Sequence, residues 1–161
     1  MRRSGPALAV VLCLTALAGC GGTGPSGPSR PADREWAANA DGVIGILERD
    51  LALSASGGAT LAAARRALAD SSNLYTILVA YTDFGGCTHM VGSIGPPLPR
   101  FAKVTATLGG VCGSLERASA LFTHATQASD PRSLLAATRL ALATAPRLAR
   151  ARAELDAAHT G

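Results

Sequence analysis

The densest group of reactive side chains is Cys87-Thr88-His89-Met90, with Cys112 and His124 further along. Thiolate, imidazole and thioether together suit Cu(I), and cysteine with histidine suits Zn²⁺. A closed zinc site needs four ligands, and Cys112 and His124 are the candidates that could complete one around Cys87 and His89. No paired CxxC and no dense Met or His array accompanies them. His89 and Met90 are therefore minor candidates, and no metal site and no cofactor is expected. Cys87 and Cys112 also lack the CxxC at a helix start that lowers a thiol pKa for redox exchange. A plain disulfide between them is the expectation.

Other chemistry is less visible still. His89, His124 and His159 have no GxSxG elbow and no HExxH helix beside them. Asp41, Glu48 and Asp50 place carboxylates along one helix and read as a solvated face. Gly109-Gly110 lacks the GK[ST] ending of a phosphate loop and reads as close helix packing. Arg132, Arg139, Arg147 and Arg150 fall on one side of a helix. Such a stripe could meet anionic lipid heads or an acidic polymer, although a solvated face is the simpler reading. No catalytic residues are assigned, and the chain is not expected to be an enzyme.

Two further cysteines, Cys13 and Cys20, lie near the start. Arg2 and Arg3 precede an apolar run of 12 residues, Ala7 to Ala18. A membrane span needs about 20 apolar residues, so this run has the length of a cleavable export signal. Leu17-Ala18-Gly19-Cys20 follows directly, with small residues before the thiol. Cys13 sits inside the apolar run behind the bulky Leu12. The arrangement Leu17-Ala18-Gly19-Cys20 resembles the signal of bacterial lipoproteins. The resemblance covers residues 1 to about 20. It implies cleavage before Cys20, a diacylglycerol on its thiol, often a further acyl chain such as palmitate on its amino group, and anchoring of an extracytoplasmic protein to membrane lipid. Two or more buried acyl chains hold firmly where one would not.

Three regions follow: a signal peptide at 1–19, a lipidated cysteine with a Gly/Pro/Ser tether at 20–31, and a helical domain at 32–161. The tether cannot bury enough apolar surface to order itself, and its root-mean-square span is roughly 18 Å. Loss of Arg2 and Arg3 leaves 13 basic and 11 acidic residues, a formal charge of +2. No basic cluster interleaved with aromatics stands out, so nucleic acid is not an expected partner. Arginine outnumbers lysine heavily and alanine is abundant. Residues 21–161 broadly resemble uncharacterised exported actinobacterial helical proteins, a resemblance that implies no activity.

The elements that must position these residues read as helices. Trp36, Ala40, Val43, Leu47 and Leu51 make one stripe over about 32–55. Ser56-Gly57-Gly58 makes a turn. A second helix starts near Ala59, with Leu61, Ala64, Leu68, Tyr75 and Leu78 as its stripe, joined by Leu74, Ile77, Tyr81 and Phe84. Pro96, Pro97 and Pro99 end it. A third spans about 100–127 on Phe101, Val104, Leu108, Val111, Leu115, Ala118 and Phe122. The fourth opens at Asp130-Pro131 and is lined by Leu134, Ala141, Ala145, Leu148 and Leu155, with Pro146 expected to kink it or cost one backbone bond near Leu142.

The expected fold is an all-α, up-down-up-down four-helix bundle with one disulfide. The disulfide adds a geometric condition, because bridged Cα atoms lie within about 7 Å. Cys87 and Cys112 come level only if the second helix continues through Gly85-Gly86 to about Ser93. The functional expectation is a lipid-anchored, non-enzymatic binding or structural domain whose partner is an envelope protein or polymer. A metal-handling lipoprotein and an envelope enzyme with an unrecognised site are the alternatives.

Overall fold

A computed structural model describes residues 30–160. The expected signal peptide, Cys20 and the expected tether through Ser29 lie outside the described residues. Helix α1 (Pro31–Ser54) starts at a proline, whose fixed φ and missing N–H suit a first helical position. Its inner stripe is the expected one, with Trp36, Ala40, Val43, Leu47 and Leu51 all buried.

A 3₁₀ turn at Ala55–Gly57 leads to Gly58, at φ +92°. A β-carbon there would lie 2.5 Å from the Ala63 β-carbon, so this turn requires glycine. Thr60 then caps α2 (Leu61–Ala69) by accepting from the Ala63 N–H at 3.2 Å.

The second expected helix does not run on. At Asp70 the backbone turns extended, φ −99° and ψ 104°. Its carboxylate accepts from the Ser72 and Asn73 N–H groups at 3.0 and 3.3 Å, which starts α3 (Ser71–Gly85) afresh. The break resets the helical phase. Leu74, Ile77, Tyr81 and Phe84 now face inward, whereas Tyr75 and Leu78, expected inside, are 69% and 46% exposed.

The chain does continue helically past the paired glycines. Gly86 alone interrupts it, and α4 (Cys87–Ser93) follows. Gly85 permits close approach, since a β-carbon would meet Ser119 Oγ at 3.0 Å. Beside it the Ser119 hydroxyl donates to the Tyr81 carbonyl at 2.7 Å. After the Pro96-Pro97-Leu98-Pro99 connection, a 3₁₀ turn enters α5 (Ala102–Ala128). All seven residues of its expected stripe are buried.

Ser129 takes a left-handed conformation. Asp130 then caps α6 (Pro131–Leu142), accepting from the Arg132 and Ser133 N–H groups at 2.9 and 3.2 Å. Pro146 breaks the fourth expected helix rather than kinking it: α6 stops at Leu142 and α7 (Ala145–Thr160) begins after a two-residue turn. A proline inside the helix would forfeit a backbone bond and collide with the carbonyl four residues back; in the first turn of α7 it does neither.

The four-helix bundle is thus corrected. The described residues form an all-α domain with six helices of nine residues or more and the seven-residue α4. The extra ends come from a capping aspartate, a glycine and a proline placed within expected helices. Helix α1 packs on α3 and α7, α5 on α3, α6 and α7, and α2 rests on α6 and α3. Trp36 stacks on Phe101 with ring centroids 4.5 Å apart, and Tyr81 stacks on Phe122 at 4.4 Å. The first pair joins the starts of α1 and α5; the second ties α3 to the far half of α5.

Candidate functional site

The cysteines meet as the geometric condition requires. Cys87 and Cys112 form a disulfide with Cα atoms 5.2 Å apart, buried between α4 and α5. Both sulfurs are therefore committed to each other. His89 is exposed two residues on along α4, and Met90 is half-buried against the core. His124 lies 12 residues beyond Cys112 on the same helix, about 18 Å along its axis, and does not converge on them. Among the described residues no group of three or more His, Cys, Asp or Glu side chains could hold a metal ion. The disulfide is structural in its setting: apolar, closed to solvent, and beside the Thr88 N–H that donates to Glu116 Oε1 at 3.0 Å.

The carboxylates expected on one helix face divide between two environments. Asp41 and Glu48 are seven residues apart on α1 and both receive Arg152 from α7. Arg152 grips Glu48 with two parallel bonds of 2.9 Å and donates to Asp41 with its remaining arm. These bonds, to Glu48 first, hold the guanidinium still more firmly protonated than usual. The cluster is an interhelical clamp, with bidentate geometry of the stronger kind.

Asp50, two residues on, is fully buried at 0% exposure. Its Oδ1 accepts from Arg49 at 2.9 and 3.0 Å, while its Oδ2 has no hydrogen-bond partner. Arg49 also reaches Asp83 of α3 at 3.4 Å. Burial above all, aided by the neighbouring Asp83 carboxylate, pushes the Asp50 carboxyl up to about 6, against the opposing pull of Arg49. A proton on Asp50 answers both problems, since it removes a buried charge and turns the carboxyl into a donor toward Asp83. Nothing in the order of residues marks this pair. Asp50 sits one residue from Arg49 in an apparently ordinary charged stretch, and only the approach of α3 closes it off.

Two of the surface grooves among the described residues bear on binding. One, of about 460 Å³, lies between α1 and α7 over an apolar floor of Ala37 and Leu155, with Asp41 and His159 among its rim. The other, of about 340 Å³, lies between α3 and α5 and is lined by Leu74, Tyr75, Leu78 and Phe122. Beside it Val79 is 40% exposed. The stretches 71–82 and 118–129 that flank this groove contain no Asp, Glu, Lys or Arg. The result is an uncharged, partly apolar face.

The arginine stripe is exposed as expected. Arg132 and Arg139 on α6, and Arg147 and Arg150 on α7, all lie at the surface. Arg150 donates to Glu154 at 2.8 Å. Cys20, the expected lipid attachment point, lies outside the described residues. No protein family, curated protein or solved structure matches the chain. Among the described residues no helix is long and apolar enough to cross a membrane.

Proposed function

We propose that the chain is an exported lipoprotein, held to a membrane by an acylated Cys20, whose helical domain works by binding through its surface. The observation that carries this reading is Leu17-Ala18-Gly19-Cys20 behind a short apolar run and two arginines. The buried Cys87–Cys112 disulfide supports it independently, because such bonds form and persist in oxidising compartments outside the cytosol. Binding rather than catalysis is favoured by where the polar groups go. Buried Ser54 and Thr144 donate to helix carbonyls of Leu51 and Ala141 at 2.8 and 2.7 Å. The clamp on Arg152 likewise spends its carboxylates on holding α1 to α7. The largest uncommitted features are surfaces: the uncharged α3–α5 face and the arginine face.

The test is a mass spectrum of the mature terminus with membrane fractionation of native and Cys20→Ser chains. The expected result is an acylated terminus at Cys20, and release of Cys20→Ser from the membrane with its domain folded. An unacylated terminus cut elsewhere would overturn the reading.

A further inference from the structure

Among the described residues some arginines are held by acidic partners and others are not. Arg49, Arg100, Arg150 and Arg152 are each paired with an acidic side chain. Arg65, Arg66, Arg132, Arg139 and Arg147 are exposed, and among the described residues none of the five is in an ion pair. These five lie on α2, α6 and the first turn of α7; Arg30 before α1 and Arg117 on α5, which donates to the Gly113 carbonyl, are also exposed and outside any ion pair but lie elsewhere. Residues 61–69, 131–142 and 145–153 contain no acidic residue. The acidic caps at their ends, Asp70 and Asp130, have their carboxylates committed to helix N–H groups.

These cations share a neighbourhood. Helix α2 packs on α6. Arg132 and Arg139 are two helical turns apart and so project from one face. With Arg147 beyond the break, the stripe extends roughly 20 Å at 1.5 Å per residue. Unpaired guanidinium groups on neighbouring helices repel one another, a cost that an anionic partner would relieve. Guanidinium forks match phosphate oxygens in pairs.

We propose that this arginine face lies against the anionic headgroups of the membrane that holds the chain, an inference that rests on the anchoring reading above. Two observations favour a lipid surface over a soluble polyanion. The five arginines are exposed on three helices and line neither of the grooves described above, a distribution suited to a broad surface. The bilayer is also within reach: the maximum span of the 11 residues from Cys20 to Arg30, were they fully stretched, is roughly 36–40 Å at 3.3–3.6 Å each. That matches the length of the 24-residue α1, about 36 Å, so the domain can lie on its side. Once anchored, contact is intramolecular, and modest electrostatics suffices.

This orientation has a consequence for the other surface. Tyr81 of α3 reaches Thr138 of α6 across the core, hydroxyl to hydroxyl at 3.5 Å. Helices α3 and α6 thus stand on opposite sides, and the membrane-bound domain turns Tyr75, Leu78 and Val79 outward.

The test uses the mature full chain carrying a fluorophore at either Ala136→Cys, on the arginine face, or Val79→Cys, on the uncharged face. Each is mixed with vesicles of phosphatidylcholine alone or with a third phosphatidylglycerol, both containing headgroup quencher. A mass spectrum of the same sample reports acylation, so failure of the anchoring reading is scored separately. An unacylated chain still reports its contact on binding to excess anionic vesicles. The expected result is quenching at position 136 but not 79, only with phosphatidylglycerol, and reversed by high salt. Arg132→Gln with Arg139→Gln should weaken the contact roughly 30-fold while leaving the circular-dichroism melt unchanged. Equal quenching at both positions, or indifference to lipid charge and to the paired substitution, would overturn the proposal.

Discussion

Replacing Asp50 with Asn removes a buried ionisable group and keeps its shape. Asp50 is fully buried, and its carboxyl is raised from 3.8 to about 6, chiefly by burial. Its folded value exceeds its unfolded one. The stability it contributes is therefore complete below about pH 4 and is lost as the pH rises through 6. The separation is roughly two pK units, each about 1.4 kcal/mol, so ionisation costs the folded state about 3 kcal/mol at pH 8. Asn cannot ionise and imitates the protonated acid. Asp50→Asn should then match the native chain at pH 4 and exceed it by up to about 3 kcal/mol at pH 8, a rise of roughly 10 °C in Tm for a domain of this size. Thermal melts of both chains across that range read the difference directly. Asp83→Asn should move the midpoint of the effect to lower pH, because the Asp83 carboxylate helps raise Asp50. A difference that stays constant with pH, or an Asn variant less stable at pH 8 than at pH 4 relative to native, would refute the reasoning.

The Cys87–Cys112 bond closes a loop of 25 residues, worth about 3–3.5 kcal/mol in the chain-entropy model. Cys87→Ala with Cys112→Ala should lower Tm by about 10 °C, and reduction of the native protein should lower it comparably; a melt indifferent to both would sink that estimate. Tyr75→Ser, at a 69% exposed position, should change stability by less than about 0.5 kcal/mol. Tyr81→Ala, by contrast, empties the stack on Phe122 and should cost about 3–5 kcal/mol in urea unfolding. Equal costs at the two tyrosines would mean that α3 is rotated from the orientation described.

The long helices were legible because their stripes were unbroken. Trp36 to Leu51 and Phe101 to Phe122 repeat at three- and four-residue steps, and burial follows them throughout. Asp130-Pro131 was legible because capping is local: a short acidic side chain and a residue without an N–H suit any helix start. The continuation past Gly85-Gly86 followed from requiring two thiols to meet. Asp70 was missed although it does the same local work as Asp130. Apolar residues recur on both sides of it, and they masked the cap in Asp70-Ser71-Ser72-Asn73. Misreading that break put Tyr75 and Leu78 on the wrong side of α3.

What the sequence by itself determined is the class of structure and most helix ends, since periodicity, capping and proline act within a few residues along the chain. Tertiary structure alone decided the fate of each charge. Whether a carboxylate is clamped like Glu48, sealed off like Asp50, or left in water depends on which helix arrives beside it, and that helix is separated from Glu48 by 104 residues. Desolvation and ion pairing are set by distance in space, which the order of residues does not record.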